Sequence, residues 1–131
     1  MRVSSTEAFE LSRLFRELSV VLGNYRYEHW SKLKKREREA IESAEWSLLN
    51  SASDMTTMAV GLVLDESEAS FDKLKAATGK ARGAIRTLKT ARKVVDVATA
   101  AVGLAAAVLA RDIGAIGKNV KSVYDAATAD A

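Results

Sequence analysis

The chain contains no proline and no cysteine, one histidine, and only 6% aromatic residues among its 131 positions. Without proline the commonest helix breaker is missing, so helices can run long and uninterrupted. Without cysteine, disulfides and thiolate-held metal centres are excluded, and the redox compartment is left open. A single histidine excludes the bundle type of di-iron centre, which wants Glu-x-x-His twice; Arg26 stands where His29 would need its glutamate.

Local signatures of enzymes are scarce as well. Gly79-Lys80 invites comparison with a phosphate loop, but that motif needs glycine five residues earlier and Ser or Thr after the lysine. Leu74 and Ala81 occupy those places. No glycine-rich nucleophile elbow accompanies His29. Neither an enzymatic activity nor a cofactor or metal is therefore expected. The opening MRVSSTEAFELSRLF has no continuous apolar run of signal-peptide type and is acidic by Glu7. A cytoplasmic protein is the expectation, with export lacking a cleaved signal or membrane association as alternatives.

What is present is helical periodicity. Leu11, Leu14, Phe15, Leu18, Val21, Leu22 and Tyr25 recur at three- and four-residue steps, one face of a helix. Ser4 and Glu7 have capping-box spacing, and Gly23-Asn24 suits a stop or kink. The pattern resumes from Tyr25 to about Leu64, with weaker cap signals at Ser51/Asp54 and Asp65/Glu68. Thr78-Gly79 reads as a break. Lys80 to about Ala110 then reads as one long helix, followed by loosening at Gly114 and Gly117 and a final amphipathic turn or two. These signals predict an all-α fold: one domain over residues 1–131, an elongated antiparallel bundle of about 3–5 helices. An Ala-rich apolar central helix is expected near residues 80–111. Leu14, Leu18, Leu22, Ile41, Leu48, Leu88, Val95 and Val102 are the expected core.

The net charge of +3 conceals strong segregation. Glu39 to Asp72 holds eight acids and no base, whereas Lys73 to Lys93 holds eight bases and no acid. A chain reversal between them would lay the two blocks side by side; the alternative is two separately solvated faces. Arg82, Arg86, Lys89 and Lys93 share one stripe of the expected long helix and form a candidate basic binding surface. "KLKKRER" adds a third basic block.

Val94 to Ala110 carries one charge, Asp96, in 17 residues, seven of them alanine. A spanning helix needs about 20 apolar residues, so this segment is marginal for a membrane and well suited to burial in a bundle. Val94, Val95, Val102, Leu104, Val108 and Leu109 are its candidate core or membrane residues. Small residues such as Gly103 and Ala107 would let neighbouring helices approach closely.

Taken together, these features lead to the expectation of a noncatalytic helical interaction or assembly protein that self-associates or binds another protein, in the manner of coiled-coil and bundle modules. The alternative is a membrane-active bundle, peripheral or pore-forming, that exposes residues 94–110 at anionic lipid. Nucleic acid is a weaker candidate: the basic stripe would attract it, but aromatics interleaved for base stacking are missing.

Overall fold

The computed structural model describes residues 5–57, 71–87 and 90–128. They form five helices: α1 (Ser5–Glu28), α2 (Lys35–Thr57), α3 (Phe71–Thr87), α4 (Ala91–Ala110) and α5 (Ile113–Thr128), with a short 3-10 turn at Trp30–Lys32. The bundle runs up, down, up, down, up. Around it the neighbours follow the order α1, α2, α4, α5, α3, and α3 closes back onto α1. The expected all-α bundle is there. At about 1.5 Å per residue, α1 is roughly 36 Å long.

The apolar stripe of α1 does what its spacing implies. Leu11, Phe15, Leu18 and Leu22 are fully buried, with Ile41, Leu48 and Met55 of α2 opposite them in one core. The helix does not stop at Gly23-Asn24 but continues to Glu28. Gly23 serves close approach instead: a Cβ there would stand 2.8 Å from the Glu45 carboxylate oxygen of α2. Gly103 of α4 has the same role against α5, where a Cβ would meet the Asn119 side-chain oxygen at 2.6 Å. The small-residue reading of α4 therefore holds at Gly103.

The helix expected from Lys80 to about Ala110 is divided. Thr78-Gly79 lies inside α3, where the Thr78 hydroxyl donates to the Lys75 carbonyl. The division comes later, at Thr90, whose extended backbone and side-chain oxygen cap the Lys93 amide of α4. Likewise Tyr25 to Leu64 is not one helix, because α1 ends before the 3-10 turn and α2 begins at Lys35. The Ser51/Asp54 signal lies inside α2, which runs through it unbroken. Ser4, the Asp65/Glu68 signal, Leu88 and Lys89 lie outside the described residues.

Gly114 and Gly117 do not form the last turn; both lie within α5. Arg111 does, with φ 58° and ψ 32°, the left-handed conformation usual at a helix C-terminus. Its amide and that of Asp112 reach back to the Val108 and Ala107 carbonyls, and Asp112 then caps the Ala115 amide of α5. Two residues thus reverse the chain.

α4 is apolar along its length, but it is one wall of the bundle and not an encircled centre. Its inward face is Val94, Val97, Ala98, Ala101, Leu104, Ala105, Ala107 and Val108. Of the expected core, Leu14, Leu18, Leu22, Ile41 and Leu48 are buried, whereas Val95 and Val102 are only half-buried, as is Leu109. A 3.6-residue helix places Val95 and Val102 one step off the line of Val94 and Ala101, towards the rim. The same truncation on this helix should therefore cost different amounts. Val97→Ala is expected to lose about 2–3 kcal/mol, and Val102→Ala about 1 kcal/mol or less, in denaturant melts. Arg111→Gly should gain roughly 0.5–1 kcal/mol, since glycine adopts the left-handed backbone without a Cβ penalty; an unchanged or lowered melting midpoint would contradict this.

Candidate functional site

Two rows of polar residues on α1, each repeating every seven positions, set its neighbours. Facing α2 are Ser12, Ser19 and Arg26. Ser12 Oγ donates to the Ala52 carbonyl at 2.7 Å and lies 2.8 Å from Thr56 Oγ1; Ser19 Oγ donates to the Glu45 carbonyl at 2.8 Å. Arg26 grips the Glu45 carboxylate with two nitrogens, at 2.6 and 3.2 Å, and stands 3.6 Å from Glu42. Facing α3 are Glu10 and Glu17, paired with Lys75 at 3.1 Å and Arg82 at 2.6 Å. Both pairs span 65 residues, so α1 and α3 lie parallel and in a fixed register.

These contacts relocate the charge blocks. The acidic and basic blocks do not pair as α2 against α3. α2 packs on α1 and α4, whereas α3 packs on α1, α5 and, more lightly, α4. Asp65, Glu66 and Glu68 lie outside the described residues. Of the basic stripe, Arg82 is tied to Glu17, Arg86 is exposed at the end of α3, and Lys93 belongs to the first turn of α4. The break before α4 prevents a single continuous stripe.

Around the α1–α2 connection the structure gathers residues that periodicity alone did not single out. Trp30 carries the Arg38 guanidinium 4.8 Å from its ring centre and that of Arg26 at 5.9 Å. Arg38 also donates to the Trp30 and Leu33 carbonyls. The Glu45 hydrogen bond, joined by the charges of Glu45 and Glu42, outweighs burial and raises the Arg26 pKa above its ordinary value. His29 stacks on Tyr25 at 4.2 Å, and its Nδ1 donates to the Tyr25 carbonyl. Burial, reinforced by nearby Glu37, pushes the Tyr25 phenol upward and keeps it neutral. His29 is thus engaged in holding the turn. Among the described residues no three His, Cys, Asp or Glu side chains converge as metal ligands would.

Among the described residues two surfaces stand out. One is the outer face of the α1–α2 hairpin, where Phe9, Val20 and Tyr27 of α1 and Trp46 and Leu49 of α2 are exposed. At 100° per residue, positions 9, 20 and 27 fall within about 20° of one line. Trp46 and Leu49 line the groove between the helices with Ser19, Arg26 and Glu42. Val20 and Tyr27 follow Ser19 and Arg26 by one residue, on the outward side of that groove. The other is the end of the bundle at which α2 and α4 begin, where Lys34, Arg36 and Arg92 line a cleft of about 510 Å³ with Glu37, Val95 and Asp96.

α4 has 20 residues and is long and apolar enough, by length and composition, to cross a bilayer. Val94, Leu104 and Val108 point into the bundle, and Val95, Val102 and Leu109 pack at its margin. No family model, curated protein or solved structure matches this chain.

The register pairs yield a test. Because Arg82 and Glu17 are each about one-third exposed, their coupling is expected to be modest, about 0.2–1 kcal/mol. Arg82→Glu should destabilise at low salt, and the exchange Arg82→Glu with Glu17→Arg should recover only part of the loss, because it also turns the 2.6 Å pair of Glu17 with Arg13 into a repulsion. Arg86→Glu, at an exposed position, should change the melting midpoint little. Equal losses from Arg82→Glu and Arg86→Glu would contradict the α1–α3 register.

Proposed function

We propose that this chain is a noncatalytic helical assembly protein that associates with a second copy of itself through the outer face of the α1–α2 hairpin. The observation carrying this reading is the exposure of large apolar side chains there: Trp46 is 60% exposed, Val20 56% and Phe9 51%. Isolated exposed apolar residues are ordinary, but a grouped set on one face is characteristic of an interaction surface. Aromatic anchors of this kind dominate protein interfaces energetically.

Charge supports a second copy as the occupant. The outward row of α1 sets Arg16, and Arg13 bound to Glu17, among its apolar residues, whereas the outward row of α2 carries Glu39 and Glu42, paired with Lys35 and Arg26, beside Trp46. A two-fold arrangement that sets the α1 row of one copy on the α2 row of the other brings unlike charges to the same face. Such an interface is isologous and closes as a dimer. The noncatalytic part rests on the sequence, where neither a phosphate loop nor a nucleophile elbow accompanies the sole histidine.

Sedimentation equilibrium over a range of concentrations checks the reading. The parent is expected to show a reversible monomer–dimer equilibrium, and Val20→Glu with Trp46→Glu should shift it to monomer without loss of helical content. Both positions are exposed, so folding should survive. A parent that stays monomeric at every concentration, or a double variant that dimerises as the parent does, would reject the proposal.

A further inference from the structure

The two basic blocks nearest the helix connections are separated by about fifty residues in sequence, yet the fold brings them to one end of the bundle. α1 and α3 end there, and α2 and α4 begin there, so Lys32, Lys34, Lys35 and Arg36 share that end with Arg86, Arg92 and Lys93. The cleft lined by Lys34, Arg36 and Arg92 is where the two blocks meet. With Arg38 of the same turn, and leaving aside Arg26, which is bound to Glu45 and Glu42, eight cations face five acids: Glu28, Glu37, Glu39, Asp96 and, towards the end of α5, Asp125. The excess of three equals the whole chain's formal +3. At the opposite end, among the described residues, Glu7, Glu10, Asp54, Asp72 and Asp112 are balanced by Lys73, Lys75, Arg111, Lys118 and Lys121, the last of which shares a cleft with Asp72 and Lys73. The cationic excess therefore sits at the first end.

Two exposed aromatics stand on the basic end: Tyr27, 83% exposed, and Trp30, 50% exposed. Tyr and Trp are enriched at the headgroup level of bilayers, where an apolar ring with a polar edge is accommodated, and clustered Lys and Arg are drawn to anionic lipid.

We propose that this end of the bundle is a docking surface for an anionic phospholipid bilayer, bound end-on and sharing only Tyr27 with the hairpin face. The cations contact headgroup phosphates while Tyr27 and Trp30 enter the interfacial layer. α4 stays in the bundle throughout. Nucleic acid fits less well: stacking a base on the Trp30 ring face would displace the guanidinium of Arg38 or Arg26. The cations also form a cap at one end and not a track along a helix.

Flotation with vesicles tests this, comparing pure phosphatidylcholine with an equal mixture of phosphatidylcholine and phosphatidylglycerol. The chain should float with the mixed vesicles at low salt, be released at high salt, and ignore the neutral ones. In a Trp46→Phe background, Trp30 emission should shift to the blue on binding. Lys34→Gln, Arg36→Gln and Arg92→Gln combined should weaken binding about a hundredfold, at roughly fivefold per cation. All three side chains are exposed, and circular dichroism checks that the variant folds; release of the unaltered chain by salt reads the same charges with no substitution. Equal flotation with both vesicles, salt-insensitive binding, or a triple variant as tight as the parent would overturn the proposal. So would tighter binding to duplex DNA than to the mixed vesicles at the same salt, which would reassign the end to nucleic acid.

Discussion

The hydrogen-bonded row Ser12, Ser19 and Arg26 is the constraint from which the other placements follow. Apolar contacts hold α1 against α2, but they are non-directional and would tolerate sliding. The two serine hydroxyls each reach a backbone carbonyl of α2, and buried polar groups left without such partners are costly. A slipped register would strand them. Arg26 finishes the row by gripping Glu45, and Gly23 makes the space that lets Glu45 approach. Once that seam is fixed, the opposite flank of α1 presents Glu10 and Glu17 to Lys75 and Arg82, and α3 takes its position from them.

The two interfaces of α1 differ in kind. The α2 seam is buried, so its hydrogen bonds penalise alternatives strongly. The α3 pairs are partly exposed and individually weak. Their contribution is to orientation, since a parallel α3 matches both pairs at one offset of 65 residues. This arrangement also explains why α2 and α3, among the described residues, do not pair as an acidic and a basic helix. α3 pairs Lys75 and Arg82 on α1, which leaves Arg86 and the start of α4 to join the turn between α1 and α2. Charge at the bundle end is thus a by-product of where α1 places its partners.

Much of the fold was legible in the sequence because helix periodicity reports burial directly. Leu14, Leu18, Leu22, Ile41 and Leu48 all lie in the core. The helix ends were less legible, and for definite reasons. Gly23 suggests a stop or kink, Gly79 a break and Gly114 a loosening, yet a glycine inside a helix costs only about 1 kcal/mol relative to alanine, which tertiary packing readily outweighs. Conversely, Arg111 takes a left-handed backbone that its residue type does not advertise. Val95 and Val102 missed the core because a uniformly apolar helix offers no contrast from which to orient it. The basic end was only half visible: both blocks stood out, but their meeting depends on topology. A polar residue every seven positions at Ser12, Ser19 and Arg26 was present in the sequence, and searching for polar as well as apolar repeats would have found the seam.

The seven-residue rows on α1 also bear on how this protein can change length. One residue inserted between Ser12 and Arg26 would turn everything beyond it by about 100°, rotating half the helix away from both α2 and α3. An insertion of seven would restore the facing of each row to within about 20°, with α2 and α3 extended to match. Lineages that lengthen or shorten this bundle are therefore expected to do so in whole heptads within the helices. Single-residue insertions and deletions should collect in connections such as that between α1 and α2.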